Sequence, residues 1–189
     1  MKKIFILVGI IVFLITSSAP SRVPNITREP DIRMHIPVPS KGNVWFFDRG
    51  KLIPMEYTAG YVERDLVKQA LKLDMVKILR ISMQGDRALL KIRNKKPTFY
   101  TRFNPTEIEV ARFIVQGDKK QRYIEVVSKI GSTMGYIEPE EDSIGFNYAK
   151  TSGEIFRITL KESLRVGEYG IVVFGGAAGY SVYDFAITE

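Results

Sequence analysis

The chain has 189 residues, a formal net charge of +7 and no cysteine. The lack of cysteine excludes disulfides, thiol catalysis, cysteine-based metal sites and a lipid-modified N-terminal cysteine. At this length the chain can bury a sizeable core, so at least one folded domain is expected.

Residues 1–21 have the three parts of a secretory signal peptide. Lys2 and Lys3 precede an apolar run from Ile4 to Ile15, and small residues follow as far as Ser21. The apolar run is shorter than the roughly 20 residues of a membrane-spanning helix, so a cleaved signal is favoured over a retained anchor. We therefore predict an exported protein that is periplasmic, secreted or held at the cell surface.

Charge is distributed unevenly along the rest of the chain. The net charge is +1 for residues 22–63, +9 for residues 64–122 and −5 for residues 123–189. If these segments lie on different faces, the molecule is polarised and suited to docking on an anionic membrane leaflet, glycan or protein. The alternative is that the lysines and arginines only solvate strand faces and protect sheet edges.

Residues 22–41 contain four prolines and no apolar periodicity. This composition predicts an extended linker, or a strap laid against the domain. The only histidine, His35, lies in this segment.

Residues 42–61 are predicted to form an aromatic β-hairpin. Strand-forming residues on both sides of Asp48-Arg49-Gly50 are typical of two strands joined by a tight turn. An isolated hairpin is marginal in water, so its aromatic face, with Trp45 or Phe46 inward, is expected to pack on a main sheet.

Residues 62–189 are assigned to a β-sandwich domain. At its start Val62, Leu66, Ala70 and Leu73 have helical spacing, which predicts a short amphipathic helix. After this segment the apolar period changes to two, and nine short runs are rich in β-branched and aromatic residues. These runs are VKILRISM, ALLKIR, TFYTRF, IEVARFIV, RYIEVVSKI, SIGFNYAK, EIFRITL, YGIVVF and SVYDFAIT. Together they predict an all-β fold, an antiparallel, Greek-key-like (immunoglobulin-like) β-sandwich.

The last two predicted strands carry a turn signature and a glycine loop. Leu164, Gly167 and Tyr169 form L-x-x-G-x-Y, a spacing typical of a tyrosine corner, in which the phenol hydroxyl donates a hydrogen bond to upstream main chain. The loop GGAAG lacks the Lys-Ser/Thr pair of a phosphate-binding loop and leads into a strand. It is therefore predicted to join two strands of the sandwich.

Motifs for catalysis and cofactor binding are weak. A single histidine, His35, does not supply a Ser-His-Asp device or a zinc cluster. The four acids in Glu138–Asp142 are predicted to form a solvated turn, although glycoside cleavage needs only two carboxylates. We predict a protein that is not an enzyme and has no cofactor or metal. The alternative is a glycan-binding or carbohydrate-active protein that uses a carboxylate pair and exposed aromatics.

The segment RNKKPTFYTRF interleaves basic and aromatic residues. It supplies a candidate partner-binding patch of Arg93, Lys95, Lys96, Tyr100 and Arg102. Such a mixture suits phosphate neutralisation and base stacking, but export argues against nucleic acid. We predict an envelope protein or an anionic cell-surface polymer as the partner, with membrane contact but no spanning after signal cleavage. The alternative is that the aromatics alternate into the core while the basic residues face water.

The order of these motifs resembles a group of uncharacterised bacterial secreted all-β proteins. The resemblance lies in GNVWFFDRGKLIPME, ILRISMQGDRALLKIRNKKPTFYTRF and the closing L-x-x-G-E-Y and V-Y-D-F strands, between Gly42 and Ile187. It implies a secreted all-β domain and offers no functional residue to transfer. With the export signal and the polarised charge, it predicts a non-enzymatic interaction or structural module of the bacterial cell envelope.

Overall fold

The structure, a computed structural model, describes residues 25–33, 37–58, 60–64, 76–129, 135–138, 142–151, 153–174 and 180–189. This part of the chain forms sixteen strands and two one-turn 3₁₀ helices, Pro105–Glu107 and Gly117–Lys119. The strands are β1 (Ile26–Arg28), β2 (Val44–Asp48), β3 (Lys51–Pro54), β4 (Tyr61–Arg64), β5 (Val76–Gln84), β6 (Lys91–Ile92), β7 (Thr98–Thr101), β8 (Ile108–Arg112), β9 (Ile114–Gln116), β10 (Gln121–Lys129), β11 (Gly135–Glu138), β12 (Ser143–Ile144), β13 (Phe146–Lys150), β14 (Phe156–Leu160), β15 (Gly167–Phe174) and β16 (Tyr180–Ile187).

The strands form three sheets, which we name A, B and C. Sheet A has the order β1-β13-β14-β7-β2-β3, and sheet B has the order β12-β8-β15-β16-β6. Sheet C has the order β11-β10-β5-β4, with β9 also paired to β10. Neighbours are antiparallel except for the pairs β1–β13 and β16–β6. The predicted all-β fold of antiparallel sheets is confirmed, and the finer assignment, an immunoglobulin-like strand order, stays a prediction.

Sheet B is the middle layer. On strand β15, Tyr169, Ile171 and Val173 belong to an apolar cluster shared with sheet A, whereas Val172 and Phe174 belong to a cluster shared with sheet C. Every residue of β15 after Gly167 is buried. This double burial explains why YGIVVF is a continuous apolar run where a half-exposed strand would alternate.

Each of the nine predicted runs contains a strand, but two runs are divided between sheets. The run IEVARFIV passes from sheet B to sheet C at Phe113, and SIGFNYAK passes from sheet B to sheet A at Gly145. Gly145 lies close to the N-terminal segment, because a Cβ there would come within 2.6 Å of Asn25 Nδ2. Sheet switching of this kind is not visible in a period of two.

The predicted helix is wrong at its start. Residues 61–64 form β4, which pairs antiparallel with β5 in the register Val62↔Ile81. Pairing with a long neighbouring strand outweighs the helical spacing, which is a weak local preference. The rest of the predicted helix, residues 65–75, lies outside the described residues.

The predicted hairpin is present, and it forms one edge of sheet A. Its turn residues Arg49 and Gly50 have φ angles of 46° and 82°, the left-handed conformations of a two-residue hairpin turn. Phe46 faces the core shared with sheet B, and Trp45 faces the opposite side of sheet A. Both side chains are buried, so the hairpin packs through both faces.

The proline-rich segment lies along sheet A where the structure describes it. Glu29 N–H donates to Tyr148 O, and the Arg157 guanidinium lies 2.9 Å from Glu29 Oε2. Farther along, Trp45 Nε1 donates to Lys41 O over 3.1 Å. The predicted signal, residues 1–21, and His35 lie outside the described residues.

The tyrosine corner is confirmed. The Tyr169 hydroxyl donates to Arg165 O over 3.0 Å, four residues upstream. The loop GGAAG, residues 175–179, lies outside the described residues, but the strands on either side pair as far as Phe174↔Tyr180. The loop therefore joins the last two strands, as predicted.

Candidate functional site

The predicted basic and aromatic patch has one buried member. Arg93, Lys95, Lys96 and Arg102 are exposed, but Tyr100 has only 6% of its surface exposed. Tyr100 lies opposite Trp45 in sheet A, and burial raises the pKa of its phenol above the usual value. Its inclusion as an accessible aromatic is wrong, because the side of sheet A on which it lies is covered.

Arg102 also lies apart from the other cations. It follows β7, whereas Lys96 precedes that strand, and six residues of extended chain cover about 20 Å. Its guanidinium is 5.4 Å from the centre of the Trp45 ring. This position suits a cation–π contact that helps to cover the tryptophan.

The remaining cations lie on a loop that is tied to a second loop. Lys96 Nζ donates to Lys161 O over 3.3 Å, and Leu164 N–H donates to Lys95 O over 2.7 Å. Lys161 is itself exposed, so it extends the patch. We name these four residues the basic patch: Arg93, Lys95, Lys96 and Lys161.

A second candidate site is a buried charged cluster between sheets B and C. Asp184 of β16 bonds to the Arg122 guanidinium and to the Thr58 hydroxyl. Arg122 is 3% exposed and also donates from Nη1 to Gly85 O over 3.1 Å. A buried ion pair of this kind fixes how two layers meet, and removal of one partner leaves an uncompensated charge.

Glu168 lies on the same face of sheet B as Asp184. Its carboxylate accepts from Ala88 N–H over 2.7 Å, and only 9% of the residue is exposed. Burial raises the pKa of Glu168 above its usual value, and the negative charge of Asp184 adds to the increase. The Ala88 N–H and the Arg122 guanidinium act in the opposite direction on this pKa.

Glu168 borders a cavity of about 540 Å³. Two further carboxylates and two arginines share the lining with apolar residues: Asp86, Arg87, Arg112, Phe113, Ile114, Val115, Asp142 and Gly167. Asp142 is half-buried here, so this acid of the Glu138–Asp142 run is not simply part of a solvated turn. The cavity has the size and the mixed lining of a small-ligand site.

Asp184 borders a separate groove of about 470 Å³ on the outer edge of sheet B. Its walls are the last residue of β3, the segment after it and the loop before β6: Pro54, Met55, Glu56, Tyr57, Thr58, Leu89 and Leu90. Leu89 is 93% exposed and Tyr57 is 51% exposed, so the groove opens between two apolar side chains in contact with solvent. We name this site the edge groove.

Sequence reasoning missed Glu168, Asp184 and Arg122. Arg122 and Asp184 are 62 residues apart, and no local spacing connects them. A usable signal is present, because Glu168 and Asp184 are acids inside strands that are otherwise apolar. Such acids need a buried partner.

Among the described residues, no cluster of three or more acidic or histidine side chains is arranged to hold a metal ion. The same part of the chain contains no helix that is long and apolar enough to cross a bilayer. Comparison with protein-family models, with curated proteins and with solved structures found no match to this chain. The resemblance to secreted all-β proteins therefore stays a prediction.

Proposed function

We propose that this protein is an exported, non-enzymatic interaction module of the bacterial cell envelope, which binds an anionic partner through the basic patch. The observation that carries the proposal is the attachment of the two loops, since the hydrogen bonds to Lys95 O and Lys161 O hold the exposed Lys95, Lys96 and Lys161 on neighbouring loops. The secretory pattern of residues 1–21 supports the location.

Clustering matters because like charges that lie together raise the local potential. Such a patch increases the rate of encounter with an anionic surface, and its effect falls as salt screens the field. Lys96 Nζ is held at the main-chain carbonyl of Lys161, and Lys161 Nζ donates to Asn25 Oδ1 over 2.7 Å. The patch therefore favours an anionic partner over a neutral one.

The test is binding of the exported chain to phosphatidylglycerol vesicles and to immobilised polyglutamate over a range of salt concentrations. A Lys95→Glu/Lys96→Glu variant is expected to bind at least about tenfold more weakly at low salt, with a smaller difference at high salt. The matched control is Lys119→Glu/Lys120→Glu, which makes the same charge change at exposed positions beside sheet C.

Equal weakening by both variants would mean that only net charge matters, and the assignment of the patch would fail. Binding to neither probe at low salt would overturn the proposed function itself.

The cavity at Glu168 favours one second candidate, a glycan-binding or carbohydrate-active protein. A buried carboxyl group with a raised pKa can act as a general acid, and a nearby carboxylate can act as the nucleophile or base of a glycosidase. Trp45 and Tyr100, the aromatics expected at such a site, are buried elsewhere, and the side chain of Tyr136 lies outside the described residues. This candidate predicts hydrolysis or binding of cell-wall glycan fragments that is lost in Glu168→Gln. Equal behaviour of the variant and the wild type would exclude it.

A further inference from the structure

We propose that the edge groove binds an extended acidic peptide segment of a partner protein, and that this segment pairs with the main chain of Asp184. The inference deepens the proposed function and rests on it in one respect, because it identifies the anionic partner as a protein. Four features of the groove support it.

The first feature is an open position on the outer edge of β16. Thr58 N–H donates to Val182 O over 2.8 Å, and Ala186 N–H donates to Leu90 O over 2.8 Å. Main-chain groups of a strand alternate in direction, so those of Asp184, midway between Val182 and Ala186, point to the same side. In the part of the chain that the structure describes, no main-chain partner fills this position. One residue of an incoming peptide can supply both a carbonyl and an N–H.

The second feature is the apolar wall around this position. Leu89 and Tyr57 are largely exposed, whereas most leucines of the core strands are buried. Exposed apolar side chains that are grouped around a groove mark interaction sites. The volume of about 470 Å³ suits one or two apolar side chains of a bound segment.

The third feature is that the loop carrying Leu89 is held in place. Arg122 Nη1 donates to Gly85 O, Ala88 N–H donates to Glu168 Oε2, and Leu90 O accepts from Ala186 N–H. Each of these bonds connects the loop to sheet B or sheet C. Binding would therefore cost little conformational entropy in this wall, and preorganisation of this kind raises affinity.

The fourth feature is charge. Beyond Leu90 the chain continues through exposed Lys91 into the basic patch, while the carboxylate of Asp184 is already paired with Arg122 and Thr58. Glu56 lies on the opposite wall. A bound segment is therefore expected to place its apolar residue in the groove and its acidic residues on the side of Lys91.

The open main chain also distinguishes a peptide from a lipid. An acyl chain in the groove would exclude water from the N–H and carbonyl of Asp184 without replacing its hydrogen bonds. Burying a polar group without a hydrogen-bond partner is unfavourable and weakens binding. A peptide main chain removes this cost.

The test uses fluorescein-labelled peptides with blocked termini, each with Leu, Phe or Val followed by three acidic residues, and fluorescence anisotropy with the full exported chain. Leu89→Ser is expected to weaken binding about tenfold, because the variant loses the apolar contact that a leucine buried by the peptide would make. Since Leu89 is 93% exposed, this variant is expected to fold normally. Val166→Ser is the matched control, because Val166 is a half-exposed apolar residue at the tyrosine corner.

Two altered peptides complete the experiment. N-methylation of the apolar residue removes the main-chain donor and is expected to weaken binding about tenfold, and replacement of the acids by lysines is expected to abolish it. The inference is overturned if no acidic peptide binds, if Leu89→Ser and Val166→Ser behave alike, or if N-methylation has no effect. If Leu89→Ser instead weakens binding to phosphatidylglycerol vesicles while peptides fail to bind, the groove serves lipid and the proposed basic patch still stands.

Discussion

The two faces of sheet B solve the problem of layer packing in different ways. The face toward sheet A is apolar, and the rings of Phe185, Phe99 and Tyr169 contact one another at its centre. The face toward sheet C combines a smaller apolar cluster with the charged groups of Asp184 and Glu168. The same strands, β15 and β16, supply both faces.

The two faces therefore contribute differently to the stability of the fold and to the register of its layers. Apolar burial is non-directional and supplies most of the stability, whereas a buried ion pair accepts few arrangements and fixes the register of two layers. The main chain on the face toward sheet C is also tightly packed, because a Cβ at Gly170 would come within 2.5 Å of the Phe113 ring. We expect mutations on the face toward sheet A to cause the largest losses of stability. On the face toward sheet C, we expect the effect of a mutation to depend on pH and on whether the ion-pair or hydrogen-bond partner of the mutated residue is still present.

The largest effect is expected for Phe185→Ala on the apolar face. Phe185 is fully buried, and its ring centre lies 4.9 Å from that of Phe99. Removing a buried phenylalanine costs about 3–5 kcal/mol of unfolding free energy. Urea unfolding measures the loss, and the half-exposed Val166→Ala, within about 0.5 kcal/mol of wild type, is the control. A loss below about 1 kcal/mol would contradict the assignment of the main core.

The next effect concerns the ion pair of the charged face. Asp184→Ala leaves Arg122 buried without its carboxylate, so a loss of about 3 kcal/mol is expected. The double variant Arg122→Met/Asp184→Leu is expected to recover to within about 1 kcal/mol of wild type, because apolar groups can replace a buried pair. The losses of unfolding free energy in Arg122→Met and Asp184→Leu are measured separately as well. If the loss in the double variant equalled the sum of the two single losses, the ion pair would not act as a unit.

A smaller effect is expected for Tyr169→Phe. The ring stays in the core of the apolar face, and only the hydrogen bond to Arg165 O is removed. The expected loss is about 1 kcal/mol by thermal or urea unfolding. Tyr57→Phe, at an exposed tyrosine, is the matched control and is expected to leave stability unchanged. If Tyr169→Phe lost as much unfolding free energy as Phe185→Ala, the hydrogen bond of the tyrosine corner would contribute more to stability than expected, and burial of the ring would contribute less.

The smallest effect, which grows as pH rises and best separates the two faces, is expected for Glu168→Gln. The pKa of Glu168 is raised in the folded protein, so the folded state holds its proton more tightly than the unfolded state does. Stability from this group is therefore present below the unfolded pKa and is lost as pH rises through the folded pKa. The variant, which keeps an acceptor for Ala88 N–H, is expected to lack this loss.

The measurement is the difference in unfolding free energy between wild type and Glu168→Gln at several pH values from 4 upward. The wild type should become less stable relative to the variant as pH rises. A difference that is constant with pH, or of opposite sign, would contradict the raised pKa.

Much of the fold could be predicted because a period of two is a direct consequence of strand geometry. Runs such as Phe156–Leu160 alternate because one face is buried, and the spacing before Tyr169 specifies a corner. The misses have a common cause in tertiary pairing. Val62 has helical spacing from the apolar residues that follow it in sequence, but in space it pairs with a strand. Strands β1 and β11 are short and form beside longer strands.

The sites were harder to predict than the fold. Composition identified the cations at Lys95 and Lys96, but the side chains that cover Tyr100 come from distant parts of the sequence, such as Val38 and Ile155. Lys161 joins the patch only through a contact between two loops. The edge groove depends on where neighbouring strands end along β16, and no local sequence pattern encodes that.

The double burial of strand β15 has a consequence for how the molecule opens. Because this strand contributes to both apolar clusters, separation of either outer sheet would uncover one of its faces while the other stayed packed. Its amide protons should then be among the slowest in the chain to exchange with deuterium, since their release requires both interfaces to come apart. The outer sheets can fray independently around a strand that remains closed until the last cooperative step.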